Sequence, residues 1–266
     1  MRTSPLRDRP WIRIPRSMLA ALFFSLFGLG GLLLGGLIFP ILLLFGGSAR
    51  IKRMMRQAVK ATWWAFVAFA RVTGLFRVTI SAADRLRLAS MRGCVIASNH
   101  LTLIDIVVIA YWLPDMTAIV KADAARNFFY SRIVNGVFLV NDDPLRVLRE
   151  AKDLLAQGVN IVVFPEGTRS LPGGARRKLR RGAAQLALHA EVPVVPVFIT
   201  CDPPVLGKKQ PWYDVADRII TYHLEVREAI PSKRLTPEED VSHAAAVALT
   251  EEIHDRLWPQ EGRIDS

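Results

Sequence analysis

The chain has 266 residues, 51% of them hydrophobic, and a formal net charge of +11, enough for one large domain with an appendage. Residues 1–60 hold ten Lys/Arg and one acid, whereas the other 206 hold 25 basic and 23 acidic groups. A nearly neutral body argues against a nucleic-acid partner, and the basic start argues for anionic lipid headgroups.

In chain order, residues 1–16 are a basic segment. Residues 17–49 contain no charged side chain, which reads as membrane-embedded. The stretch is too long for the apolar region of a cleaved signal peptide, about 7–15 residues. It is also longer than one upright span of about 20 residues and short of two. Gly28, Gly30, Gly31, Gly35, Gly36 and Pro40 offer places to bend. Basic residues flank both ends, so the positive-inside rule sends both ends to the cytoplasm. The expectation is a bent or re-entrant helical hairpin, with a single tilted span as the alternative. Residues 50–74 set Met55, Val59, Trp63, Trp64 and Phe66 against Arg53, Arg56 and Lys60. This pattern predicts an amphipathic interfacial helix; a core helix of the next domain fits it equally.

From residue 75 the pattern changes. Short β-branched runs at 77–80, 94–97, 118–121, 137–140, 160–164, 194–200 and 219–226 alternate with helical patterns at 103–112, 124–135, 144–157, 178–191 and 237–258. The alternation predicts an α/β domain over 75–266, with a largely parallel central sheet flanked by helices. Sites in such sheets lie beyond the carboxyl ends of the strands. Cys94 and Cys201 sit in two of the apolar runs and read as buried thiols in a reducing compartment. No Cys/His spacing suggests a metal ligand set, so no metal is expected.

Two motifs follow strand ends. The first is Asn99-His100-Leu101-Thr102-Leu103-Ile104-Asp105. Histidine takes a proton near neutral pH, and a carboxylate in reach can fix its tautomer. Thr102 to Asp105 also matches a helix capping box. Both readings hold together only if His100 lies in the turn before the helix, because five residues along one helix point the side chains about 140° apart. The second motif is Phe164-Pro165-Glu166-Gly167-Thr168-Arg169-Ser170, where glycine allows close backbone approach and arginine suits a phosphate. Five basic residues in six follow at 176–181, leading into an apolar helix.

Taken together, these residues resemble the 1-acyl-glycerol-3-phosphate acyltransferase family of membrane-bound lipid acyltransferases. Asn99, His100 and Asp105 match N-H-x-x-x-x-D, and 164–170 match F-P-E-G-T-R-S throughout. Arg180-Arg181-Gly182-Ala183 and the V-P-x-x-P block at 192–196 are also similar to family stretches. The resemblance implies that His100, oriented by Asp105, deprotonates an acceptor hydroxyl that attacks the thioester of acyl-CoA or acyl-carrier protein. It implies that Asn99, Glu166, Gly167, Thr168, Arg169 and Arg180 bind substrate. It further implies a role in phospholipid biosynthesis and no cofactor beyond the acyl donor. Membrane lipids would be the partners, with the catalytic domain on the cytoplasmic face of a bacterial-type inner membrane. One departure stands out. The family's G-x-x-x-x-x-R motif begins at Gly136, but its arginine position holds Asp142. Either Arg146, Arg180 or Arg181 supplies the missing charge, or the acceptor is a glycolipid, an aminoacyl lipid or another lyso-lipid.

Overall fold

The computed structural model describes residues 10–126, 131–169, 178–208, 210–216, 218–232 and 243–258. Helix α1 (Pro10–Leu33) runs through one wide π turn (Leu34–Ile38) into α2 (Phe39–Leu44). No reversal interrupts this run, so the hairpin expected inside 17–49 is not formed there. The glycines are absorbed by the helix: at the π turn, Gly35 sits against Ile133, where a Cβ would already be at 3.4 Å. The chain turns back only at 45–48, where the Ser48 side chain caps α3 (Ala49–Val72) by accepting from the Ile51 N–H. Residues 14–44 are long and apolar enough to cross a membrane.

Two faces distinguish α1. Ala20 and Phe23 are buried, and Phe23 stacks on Phe66 of α3 at 3.6 Å. Met18, Leu22, Leu26, Leu29 and Leu33 are exposed at spacings of three and four, an unbroken apolar stripe turned outward. Helix α3 follows the second of the two readings of residues 50–74. Met55, Val59, Trp63, Phe66, Val67 and Ala70 pack inward, which makes it a core helix of the domain. Arg56, read as part of a solvent face, is buried in a bidentate pair with Asp115 at 2.8 and 2.9 Å.

The domain then alternates: β1 (Phe76–Ile80), α4 (Ala82–Ser90), β2 (Val95–Ser98), α5 (Asp105–Ala110), β3 (Met116–Lys121), α6 (Ala122–Arg126), α7 (Ser131–Val137), β4 (Leu139–Asn141), α8 (Pro144–Ala156), β5 (Asn160–Val163), α9 (Gly182–Ala190), β6 (Val194–Asp202), β7 (Ile220–Val226) and α10 (His243–Leu257). All seven expected strands form one sheet in the order β1-β7-β6-β2-β5-β3-β4. Every neighbouring pair is parallel except β6 and β7. Helix α4 was not expected; it is short and mostly exposed, and Ser81 starts it by accepting from the Asp84 N–H. The expected start of the last helix, at 237–242, and the basic residues 176–177 lie outside the described residues. The sheet is covered on both faces. Helices α3 and α5 close one apolar layer, and α8, α9 and α10 close the other.

Candidate active site

Strands β2 and β5 are parallel neighbours, with Val95 against Ile161 and Ala97 against Val163. The segments that leave their carboxyl ends, 99–105 and 164–169, therefore emerge side by side, as an α/β sheet dictates.

The His100 turn is pinned from three directions. Asn99 donates from Nδ2 to the Ile199 carbonyl at 2.8 Å and accepts the Ile199 N–H at 2.7 Å, so it extends the bonding to β6 where the main chain leaves the sheet. The His100 N–H donates to Glu166 Oε1 at 2.9 Å. His100 Nδ1 lies 2.9 Å from Asp105 Oδ2, and its ring stacks on Phe164 at 4.3 Å. His100 precedes α5 and Asp105 opens it, the one arrangement that lets the pair meet.

Asp105 is completely buried. Its Oδ2 also accepts the N–H groups of Leu101 and Thr102, each at 2.7 Å, and its Oδ1 accepts the Thr102 hydroxyl. One carboxylate thus serves both the main chain of the turn and the histidine, while α5 starts from Ile104 with no side-chain cap, so Thr102 is not the N-cap that the capping box implied. An ionised carboxylate offers only acceptors, so Nδ1 carries the ring proton and Nε2 keeps its lone pair. Behind Thr102 stands Tyr222 of β7, whose phenol donates to Thr102 Oγ1 at 3.2 Å. Complete burial pushes the Tyr222 pKa well above the ordinary phenol value.

The second segment is a tight turn. Gly167 adopts φ +68° and donates its N–H to the Phe164 carbonyl at 3.0 Å. Arg180 follows the turn, donating its own N–H to the Pro165 carbonyl at 2.8 Å, and its guanidinium lies over Gly167. A Cβ on residue 167 would sit 2.6 Å from Arg180 Nε, so this approach requires glycine. Arg169 turns the other way. Its Nη1 donates to the carbonyls of Leu206 and Gly207 at 2.8 and 3.1 Å, bracing a loop that also receives the Leu103 N–H on Leu206. The far end of that loop is tied to α1, where Arg16 donates to the Ala216 and Arg218 carbonyls at 2.9 Å each.

An open cleft of about 2230 Å³ passes His100. Its lining includes the apolar Phe24, Phe27, Trp63, Val107 and Phe138 and the basic Lys178, Arg180 and Arg181. Of the expected substrate-binding residues, Gly167, Thr168, Arg169 and Arg180 line this cleft. Asn99 and Glu166 do not; the main-chain bonds above hold them in the framework of the turn. Ser170 of the second motif lies outside the described residues.

The three candidates for the missing cation separate clearly. Arg146 is paired with Asp142 and lies 3.0 Å from Glu150, and its guanidinium holds the Asp142 carboxyl below the usual carboxylate range. Arg181 Nη1 faces the ring of His243 at 2.6–2.8 Å. Arg180 forms no ion pair among the described residues and lies in the cleft beside Gly167. Gly136 has a packing role: a Cβ there would lie 2.5 Å from Met55 Cε and 3.3 Å from the Phe39 ring, so it lets α7 approach α3 and α2. Phe164, Thr102 and Tyr222 were not read as site residues from sequence. Thr102 and Phe164 lay inside the quoted motifs, but Tyr222 carried no signal.

Residues 77–200 match the Acyltransferase family. The chain is 28% identical over 194 residues to human 1-acyl-sn-glycerol-3-phosphate acyltransferase beta, covering 67% of this chain and 66% of that protein. It is 36% identical over 101 residues to the human alpha protein, covering 36% and 33%. The chain thus spans from one third to just under two thirds of these curated relatives. The crystal structure of the 1-acyl-sn-glycerophosphate acyltransferase PlsC from Thermotoga maritima has the same fold, with a TM-score of 0.64 at 22% identity, covering 94% of this chain and 99% of that one. Fold, strand-end site and matched segment are alike in pointing to the class of acyltransferases. More closely, the chain is similar to proteins named 1-acyl-sn-glycerol-3-phosphate acyltransferase.

Proposed function

We propose that this protein transfers a fatty acyl group from acyl-CoA or acyl-carrier protein to a hydroxyl of a lyso-lipid such as 1-acyl-glycerol-3-phosphate, as a step of phospholipid biosynthesis at a membrane. The observation that carries the reading is the His100–Asp105 pair, with Nε2 the free nitrogen of a ring that lines the cleft. Nε2 takes the acceptor's proton as its oxygen attacks the thioester carbonyl. The tetrahedral adduct collapses, the C–S bond breaks, and the imidazolium returns the proton to the departing thiolate. The products are an ester and a free thiol. Buried Asp105 stabilises the imidazolium formed on the way. Arg180, over Gly167, is the cation placed to hold the acceptor's phosphate. The outward apolar stripe of α1, between basic ends, supports embedding in a cytoplasmic-facing membrane leaflet.

A second reading, an acceptor without phosphate, draws on the carboxylate of Asp142 at the position where an arginine was expected. Both readings share one test. The full-length wild type and His100→Ala are incubated with a labelled acyl-thioester and each acceptor class, and the lipid product is extracted. General-base loss is expected to lower transfer by about 10²–10⁴-fold. Equal transfer by both proteins would end the His100 assignment.

A further inference from the structure

We propose that Thr102 and Tyr222 are positioning residues for the general base, forming with Asp105 and His100 one buried line of hydrogen bonds from β7 to the cleft. The proposal rests on the reading of His100 as the base and adds two residues from outside that pair.

The line is continuous and each link has a direction. The Tyr222 phenol donates to Thr102 Oγ1 at 3.2 Å. Thr102 has a single hydroxyl proton, and it goes to Asp105 Oδ1. Asp105 Oδ2 faces His100 Nδ1 at 2.9 Å. Thr102, Asp105 and Tyr222 are almost wholly shielded from water, so no solvent molecule replaces a lost link cheaply.

The two ends come from different parts of the sheet. Tyr222 stands opposite Cys201 in the antiparallel β6–β7 ladder, and its ring packs edge-on against Phe76 at 5.5 Å. The phenol is therefore held by the sheet and by β1, independently of the turn it supports. Among the described residues the Thr102 hydroxyl makes the hydrogen bond that fixes the Oδ1 side of the carboxylate plane. Without it, the carboxylate could rotate about its remaining anchor, Oδ2, and carry the imidazole with it. Catalytic geometry is sensitive to such shifts, about 10²-fold for a 1 Å misplacement. The titratable groups around the pair are Glu166 at the His100 N–H, Cys201 and Tyr222 on the sheet side, and Arg180 across the Gly167 turn.

The test compares full-length Thr102→Val, Thr102→Ser and Tyr222→Phe with wild type and His100→Ala. The readouts are kcat, KM, the pH profile of kcat/KM and thermal melting. Thr102→Val and Tyr222→Phe are expected to lower kcat roughly tenfold or more with KM little changed, and Thr102→Ser to recover most of the loss. With Oδ1 stripped of a donor, more of the carboxylate's charge acts on the imidazole, so the acid limb of the profile moves to higher pH. A purely structural role would lower the melting temperature and leave that limb in place. Wild-type kcat and an unmoved acid limb in Tyr222→Phe and Thr102→Val, with His100→Ala inactive, would overturn the proposal and leave the base assignment standing. An active His100→Ala would overturn both. Should Thr102→Val fail to fold, Tyr222→Phe, which removes one oxygen and no ring atom, decides alone.

Discussion

Arg146 is ion-paired with Asp142, four residues before it, and reaches Glu150, four residues after it. This helix-end network satisfies the guanidinium within its own turn of chain, so Arg146 does not substitute for the arginine that Asp142 replaces. Arg180 remains, over the Gly167 turn and in the cleft. Arg180→Ala is expected to raise KM for 1-acyl-glycerol-3-phosphate by about 10–100-fold, the range of a lost charge-assisted hydrogen bond. Arg146→Ala is expected to change it less than about twofold, as exposed pairs contribute little. An Arg180→Ala variant with unchanged KM, while a lyso-lipid lacking phosphate is turned over faster, would favour the second acceptor reading.

Gly167 couples the second motif to that cation. Alanine there meets two penalties: φ +68° disfavours any Cβ, by about 1–2 kcal/mol, and the new atom would meet Arg180 Nε at 2.6 Å. Gly167→Ala is expected to lower the melting temperature by a few degrees and to mimic the KM defect of Arg180→Ala. The double variant should show little further rise in KM, because both changes displace one guanidinium. Additive KM effects would show that Gly167 and Arg180 act separately.

The central strands β2 and β5 were legible because buried parallel strands are short continuous apolar runs, and the edgeward β1 and β7 because apolar residues alternate with polar ones. The position of the site was legible for a related reason: both motifs begin where such a run ends. What the sequence concealed depends on distant partners. Arg56 looks like the polar face of α3 until Asp115, 59 residues away, is brought to it. Asn99 and Glu166 carry the motif signature of ligand-binding groups, yet their bonds run to the Ile199 and His100 main chain. Tyr222 is one aromatic residue in an ordinary strand, and only the β6–β7 pairing, the one antiparallel step in the sheet, turns it toward Thr102. The reversal near residue 45 was misplaced because glycines in an apolar segment suggest bends that tertiary packing against α3 and α7 does not require.

The two thiols yield a prediction about chemical reactivity. Burial pushes Cys94 and Cys201 up to about 11, and Cys94 Sγ also lies 3.2 Å from Asn160 Oδ1. At pH 8 the thiolate is then about one part in a thousand. Native protein is expected to resist iodoacetamide at both positions, with full alkylation after denaturation, read by peptide mass spectrometry. Rapid native labelling of Cys94 would contradict its burial at the entry to β2.

The Arg56–Asp115 pair bears on how the N-terminal helices are held. Arg56 lies on α3, and Asp115 immediately precedes β3, in a segment that also binds α3 through Gln57 and Lys60, both donating to the Pro114 carbonyl. These bonds fasten the helix that packs under α1 to the start of a sheet strand. Removing one partner leaves a shielded charge without its counter-ion, which costs about 3–5 kcal/mol, whereas replacing both with apolar residues of similar size is often neutral. Asp115→Leu, which strands the buried Arg56, is therefore expected to be destabilised by roughly 3 kcal/mol in urea, and Arg56→Met by less, because Arg53 Nε still lies 3.9 Å from Asp115 Oδ2, each measured on the full chain in detergent. The double variant should recover most of that loss. A double variant as weak as the sum of the singles would show that Arg56 and Asp115 contribute separately, and that their pairing does not fasten α3 to the sheet.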